Sequence, residues 1–171
     1  MCEVRRRSPG IARHNAFRDL LARQAREAAS TAVTEVPADA PGANPLLRGD
    51  ILITGAAAPD GIAGVVDISF TAPTSLRCIT RSARLERLPG EAASSWTKRQ
   101  LRRMTATRED DKRRKYTGTF LSPFTPVVFT TGGYFGAKCK AWLKRLDVFA
   151  HGKLACAFDL SVALVRARAA A

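Results

Sequence analysis

An eight-residue run from Ala63 to Phe70 constrains the fold more than any other part of the chain. It reads AGVVDISF, so apolar side chains occupy both alternating faces, and only Asp67 and Ser69 interrupt them. A strand with one solvated face would alternate apolar and polar residues, whereas a nearly continuous apolar run indicates a strand that is covered on both faces. The run therefore predicts a sheet with packing on both sides. It also leaves the Asp67 carboxylate buried and in need of a partner.

The segments around this run predict helices and strands in a definite order. Apolar residues recur at three- and four-residue intervals over 11–29, which predicts an amphipathic helix. Short β-branched or apolar runs predict strands over 32–36, 50–54, 63–70 and 126–131. Helices are also predicted over 91–116, 137–149 and 154–169, and an irregular loop over 71–90. The order αβββαβαα indicates an α/β or α+β sandwich with a small central sheet.

The charge of the chain is strongly positive and lies in two segments. The chain has 28 Lys and Arg residues against 15 Asp and Glu residues, a net charge of +13. Residues 1–26 carry a net +5 and residues 77–115 a net +8, so these two segments account for the whole excess. Neutralising phosphates releases condensed counterions, which favours nucleic acid as the partner, although a run of charge is also typical of a solvated face. Every apolar run is shorter than the roughly 18 residues of a bilayer span.

The cysteines argue against a zinc site. Cys2, Cys78, Cys139 and Cys156 are widely separated, and the sequence has no CxxC pair. Cys139, His151 and Cys156 offer only three ligands, at a spacing unlike that of zinc sites. We therefore expect free thiols and a reducing intracellular compartment.

Three carboxylates and a lysine suggest metal-dependent chemistry. Glu35, Asp50 and Asp67 lie on or beside the first three predicted strands, and Lys112 or Lys115 lies at the end of a predicted helix. Adjacent strands would bring these groups to one edge of the sheet, where carboxylates, water and phosphate oxygens suit Mg²⁺. Such an ion polarises a scissile phosphate, and a nearby lysine orients water or offsets developing charge. In the alternative interpretation, Asp50 caps a turn and Asp67 pairs with an arginine.

A series of short motifs gives this constellation a known counterpart. In chain order they are Arg13-His14-Asn15, Glu35, Arg48-Gly49-Asp50 before Ile-Leu-Ile, Asp67-Ile68-Ser69, Lys112-Arg113-Arg114-Lys115-Tyr116, and a Pro-Val-Val-Phe strand before Gly132-Gly133. The series resembles the restriction-like endonuclease domain of non-long-terminal-repeat retrotransposons, which belongs to the PD-(D/E)XK superfamily and usually lies C-terminal to the reverse transcriptase. The resemblance extends from about Arg13 to Leu146. It implies an α/β fold with a restriction-endonuclease-like core, in which a small mixed sheet is flanked by helices.

The resemblance also implies roles for individual residues. Asp50 and Asp67 match the metal-binding carboxylates, and Glu35 completes the acidic set. Ser69 stands where most of these nucleases have lysine, and the catalytic lysine is then supplied by the downstream helix as Lys115, with Lys112 as the alternate. The polar triplet of the motif and the second basic segment supply the expected DNA contacts: Arg13, His14, Asn15, Arg102, Arg103, Arg113, Arg114 and Tyr116.

The chain departs from the family pattern at three points. Gly49 stands where the family usually has proline before the first aspartate, and of the upstream zinc knuckle only Cys2 could be a remnant. A reverse-transcriptase segment with paired aspartates is also missing. These departures are those expected of a truncated element, a domesticated solo domain or an excised domain.

Together these interpretations predict a Mg²⁺- or Mn²⁺-dependent endonuclease that nicks double-stranded DNA, as in target-primed reverse transcription. We expect a basic segment over 1–10, the nuclease domain over 11–150 and a helical tail over 151–171. The RNA of the parent element is a second candidate partner, and neither a membrane nor a small-molecule cofactor is expected. The expected location is nuclear, with a mitochondrial one as the alternative. The alternative function is a non-catalytic basic nucleic-acid-binding module or a degenerate nuclease.

Overall fold

Three helices and four strands follow one another along the chain. The computed structural model describes residues 9–28, 30–72, 87–131 and 133–149. The elements are α1 (Pro9–Glu27), β1 (Thr31–Pro37), β2 (Arg48–Thr54), β3 (Ala63–Thr71), α2 (Ala93–Tyr116), β4 (Phe124–Thr130) and α3 (Ala137–Phe149). The predicted order αβββαβα is confirmed. The predicted helix over 154–169 and most of the predicted loop, 73–86, lie outside the described residues.

The four strands form one mixed sheet in the order β1-β2-β3-β4. Strand β1 is antiparallel to β2, β2 is antiparallel to β3, and β3 is parallel to β4. Strand β3 therefore has neighbours on both edges, and six of its nine residues are buried. This position explains the nearly continuous apolar run of β3. The protein is a mixed α/β fold, as predicted at this coarse level.

Helices α1 and α3 cover one face of the sheet. Helix α1 buries Phe17, Leu21, Ala25 and Ala28, whose spacing of three or four residues places them on one side of the helix. They form a single core with side chains from the sheet and from α3: Ile51, Ile53, Val66, Ile68, Val127, Phe129, Cys139, Trp142 and Leu146. No helix of the described part of the chain is long and apolar enough to cross a membrane.

Helix α2 lies against the other face of the sheet. Its Arg108 and Lys112 contact Ser69 and Asp67, which alternate along β3 with the core residues Ile68 and Val66. The predicted packing on both faces of β3 is therefore confirmed.

Several element boundaries differ from the predicted ones. Strand β4 begins at Phe124 rather than at Pro126, because its parallel pairing with β3 starts at Val65 and Phe124. Pro126 is tolerated inside β4 because β4 is an edge strand whose outer side needs no N–H donor. Strand β2 begins at Arg48, two residues before the predicted start. The candidate residue Asp50 therefore lies inside a strand rather than at its first position.

Candidate active site

Asp50 lies where the ladder between β2 and β3 ends. The last paired residues on this side are Ile51 and Val66. Beyond them, Asp50 Oδ2 accepts a hydrogen bond of 2.5 Å from the backbone N–H of Ile68. The Asp50 carboxylate thus accepts the bond that a backbone carbonyl of β2 would accept in a continued ladder. It lies between the two strands where they separate.

His14 of α1 holds the other oxygen of this carboxylate. His14 Nε2 lies 2.9 Å from Asp50 Oδ1, and both side chains are mostly shielded from solvent. The hydrogen bond to Asp50 raises the pKa of His14, while burial opposes the rise. His14, which the sequence analysis predicted to touch DNA, therefore contacts a predicted metal ligand.

Asp67 is the most deeply buried carboxylate of the site. Its side chain is 5% exposed, and Lys112 Nζ lies 2.7 Å from Oδ2. Lys112 is therefore the cationic partner that offsets the cost of burying this carboxylate. Burial raises the pKa of Asp67, and the charge of Lys112 opposes the rise. The charge of Asp50 raises it further. The two carboxylates are linked through the backbone, because Asp50 Oδ2 accepts from the N–H of Ile68, the residue after Asp67.

Successive turns of α2 contact successive inward-facing residues of β3 on the face that α2 covers. Arg108 Nε donates a hydrogen bond of 2.9 Å to Ser69 Oγ, and one helical turn later Lys112 meets Asp67. Four residues of a helix advance about 6 Å, and two residues of a strand about 6.6 Å, so the two repeats nearly match. Tyr116 follows one further turn along the same face of α2.

The two candidate lysines have different environments. Lys112 contacts Asp67, whereas the exposed Lys115 lies with Nζ 4.8 Å from the centre of the Tyr116 ring. The contacts therefore favour Lys112, the alternate of the sequence prediction. Tyr116, which the sequence analysis predicted to contact DNA, is 5% exposed and packs against Phe120 and Phe124. Its hydroxyl donates to the carbonyl of Arg48 at 3.0 Å, which ties the end of α2 to the strand that carries Asp50.

The structure does not bring Glu35 to the other two carboxylates. Glu35 lies across from Asp50 in β1, but its backbone has a left-handed φ of 59°, and the ladder omits this pair. Its exposed carboxylate forms an ion pair with Arg18 of α1. Glu35, which the sequence analysis expected to complete the acidic set, thus lies apart from Asp50 and Asp67 here, and the pairing of β1 with β2 is interrupted at its left-handed backbone.

The other predicted DNA contacts are more scattered. The Arg13 guanidinium lies 4.8 Å from the centre of the Phe70 ring, and its Nε is buried without a hydrogen-bond partner in the described structure. Asn15 is partly exposed on α1. The remaining four arginines are all exposed on α2, between about a quarter and half a turn around the helix from Lys112: Arg102, Arg103, Arg113 and Arg114. Two of them form helical ion pairs, Arg113 with Asp110 and Arg114 with Asp111.

Two residues of the site escaped the sequence analysis. Arg18 binds Glu35, and Arg108 binds Ser69. The spacing of Arg108, Lys112 and Tyr116, each four residues apart, is the signal that would have placed all three on one face of the helix. Tertiary packing determines which face of a polar helix meets the sheet. The four-residue spacing alone therefore did not identify this face.

The site thus brings together two carboxylates, a histidine, a lysine and an arginine at the point where β2 and β3 separate. Asp50 and Asp67 could supply two oxygen ligands to a divalent cation. Among the residues that the structure describes, no group of three or more His, Cys, Asp or Glu side chains is arranged to hold a metal ion. A cation at this site would complete its coordination with water and phosphate oxygens, as Mg²⁺ commonly does.

In comparisons with known proteins, no family model and no curated protein matches this chain.

Proposed function

We propose that the chain is a metal-dependent DNA endonuclease domain with a restriction-endonuclease-like core. The observation that carries the proposal is the meeting of Asp50 and Asp67 at the separation of two central strands, with Lys112 against Asp67. Two carboxylates and a lysine on a mixed sheet flanked by helices are what the resemblance to the PD-(D/E)XK superfamily implies. The αβββαβ order of the elements agrees with that expectation.

The donor set fits Mg²⁺ or Mn²⁺. Asp67 is 5% exposed, and a carboxylate has about four lone-pair positions, so the contact of Oδ2 with Lys112 leaves positions for a cation. Each oxygen of Asp50 already accepts one hydrogen bond, from His14 and from Ile68, and keeps a second lone pair for a ligand. The two hydrogen bonds hold the Asp50 carboxylate in one orientation, which is what a ligand of a rigid site requires.

The residues of the chain have separate tasks in this proposal. Asp50 and Asp67 hold the cation, whose chemistry is to polarise the phosphate and neutralise its charge. Lys112 places a positive charge beside Asp67, where it can orient an attacking water or offset charge that develops on the phosphate. His14 keeps Asp50 oriented through the bond of 2.9 Å.

The exposed arginines of α2 give the domain a basic surface for duplex DNA. In a parent retroelement such a domain would nick chromosomal DNA and expose a 3′ hydroxyl for target-primed reverse transcription. Double-stranded DNA is then the principal partner, the RNA of the element a second one, and the nucleus the place of action.

The decisive experiment incubates the purified protein with supercoiled plasmid in Mg²⁺, in Mn²⁺ and in EDTA. Nicked circles should appear only with metal. Asp67→Asn should abolish nicking and leave DNA binding nearly intact, because asparagine keeps the size and removes the charge. The variant is assayed below its melting temperature, which should fall because Lys112 loses its partner. Asp60→Asn is the matched control, since Asp60 is exposed in the turn before β3 and asparagine preserves its bonds to the N–H groups of Ile62 and Ala63. Nicking that survives Asp67→Asn would reject this site.

The two lysines are distinguished in the same assay. Lys112→Ala should slow nicking by about 100-fold or more, the range for losing one group that stabilises transition-state charge. Lys115→Ala should be much milder because Lys115 does not reach Asp67. The reverse order would restore the original assignment of Lys115.

A second candidate function, a non-catalytic nucleic-acid-binding module, is favoured by one observation. Lys112 and Arg18 pair with Asp67 and Glu35, as expected of carboxylates that no longer bind metal. This function predicts DNA binding that is the same with and without metal, and no nicked product under any condition.

A further inference from the structure

Arg108 is a partly buried cation that the proposed metal chemistry does not use. It lies on the face of α2 that meets β3, and Nε donates a hydrogen bond of 2.9 Å to Ser69 Oγ. Ser69 is itself 5% exposed, so this bond fixes the plane of the guanidinium from inside the protein. Neither Nη atom of Arg108 has a hydrogen bond or an ion pair with any residue that the structure describes.

The charges of the site leave Arg108 without a carboxylate. Lys112 lies 2.7 Å from Asp67, and His14 lies 2.9 Å from Asp50. No ion pair between described residues includes Arg108. A guanidinium held two strand residues from the already paired Asp67 is therefore in position to receive an anion from outside the protein.

The position of Arg108 suits an anion that also reaches Asp67. Ser69 and Asp67 are two residues apart on the same face of β3, a separation of about 6.6 Å. Arg108 and Lys112 are one helical turn apart, about 6 Å along α2. A phosphate bound by Arg108 would lie next to Lys112, whose charge already offsets that of Asp67, so its oxygens would face two cations of α2.

We propose that Arg108 binds the phosphodiester of the DNA strand at the candidate active site, with its two free Nη groups as a bidentate donor and Ser69 as the residue that positions it. This inference rests on the proposed function, since it assigns the substrate contact of the same site. Arginine suits the role because its planar fork matches two phosphate oxygens, which a lysine cannot do.

The first test measures the binding of a ligand that has a single phosphodiester, in the absence of metal. So small a ligand has no further phosphates for the exposed arginines of α2 to bind. The dinucleotide dTpdT is titrated in EDTA and followed by the NMR shifts of the Asp67 and Ser69 amides. The dissociation constant should rise about 10-fold to 100-fold in Arg108→Gln, the effect of losing charged hydrogen bonds. Arg108→Lys should show an intermediate loss, and Ser69→Ala a smaller one. Arg23→Gln is the control, because Arg23 is exposed near the end of α1 and outside the site.

The outcomes separate this inference from the proposed function. Unchanged dTpdT binding in Arg108→Gln, or no binding to the parent protein, would overturn the inference even if plasmid nicking is observed. Loss of dTpdT binding in Arg108→Gln would support it even if the parent protein nicks nothing, in which case only the nuclease proposal fails. Binding of the ribonucleotide UpU with exclusion of dTpdT would overturn the assignment to DNA. Melting temperatures of the variants show whether each of them is folded.

Discussion

Replacing Lys112 by methionine tests the central contact of the site without relying on any activity. The change keeps a long side chain and removes the charge that lies 2.7 Å from Asp67 Oδ2. At this distance the Coulomb attraction is about 6 kcal/mol for an effective dielectric constant of 20. Part of it offsets the desolvation of the two groups, which are 14% and 5% exposed. Removing one partner of such a pair costs about 3–5 kcal/mol, because the other charge stays buried and unpaired.

The loss of unfolding free energy in Lys112→Met should be larger at neutral pH than at acidic pH. Burial already holds the pKa of Asp67 above its usual value, and without Lys112 the pKa should rise further. The folded state then binds the Asp67 proton more tightly than the unfolded state, so stability falls as pH rises from the unfolded to the folded pKa. The destabilisation by Lys112→Met should therefore be complete at neutral pH and shrink as the pH is lowered toward 4.

Urea unfolding at a series of pH values measures this effect. For a slope of about 2 kcal/mol/M, the loss at pH 7 corresponds to a fall of about 2 M in the urea midpoint. Lys115→Met is the matched control, since it removes the same group three residues later from an exposed position. If the two variants have equal midpoints at pH 7, or if the Lys112→Met loss does not change with pH, Lys112 is not the partner of Asp67.

Three further changes test the DNA surface, the core and a helix cap. The affinity for duplex DNA should fall steeply with salt, and changing the four exposed arginines of α2 to glutamine should flatten the slope of log K against log salt by up to roughly 0.9 per lost contact; an unchanged slope would place the DNA elsewhere. Leu21→Ala should lower the free energy of unfolding by about 2–5 kcal/mol, because Leu21 is fully buried, and a parent-like melting temperature would contradict the packing of α1. Gly136→Ala should cost about 1–3 kcal/mol in chemical denaturation, since a Cβ there would lie 2.2 Å from the Glu109 carboxylate that caps α3 at Lys138 N–H; a neutral result would show that Glu109 can move away freely.

The elements of the fold could be predicted largely from local patterns. The helix 137–149 has the predicted bounds, and the run at 63–70 forms a strand that is packed on both faces, as its apolar pattern predicted. The ends of the strands were harder to predict, because they depend on pairing with a neighbouring strand. Phe124 belongs to β4 only because it lies beside Val65 of β3.

The site could be predicted in part. Asp50, Asp67 and a lysine from α2 were identified by residue type and order along the chain, and the structure brings them together. The choice between Lys112 and Lys115 depends on the rotation of α2 over β3, which no local pattern contains. The position of Glu35 depends on a left-handed backbone, which an L-residue other than glycine adopts only when its surroundings impose it.

Gly49 has a consequence for which residues its position can accept. A Cβ at Gly49 would lie 2.3 Å from Val65 Cγ1 and 3.2 Å from the Phe120 ring. The side chains of Val65 and Phe120 therefore fill the space beside Gly49, next to Asp50. Any larger residue, including the proline that the resembled family usually has there, requires a smaller neighbour at position 65 or a displaced ring at position 120. In related chains we therefore expect the three positions to change size together, and Gly49→Ala should be tolerated far better in a Val65→Ala background than alone.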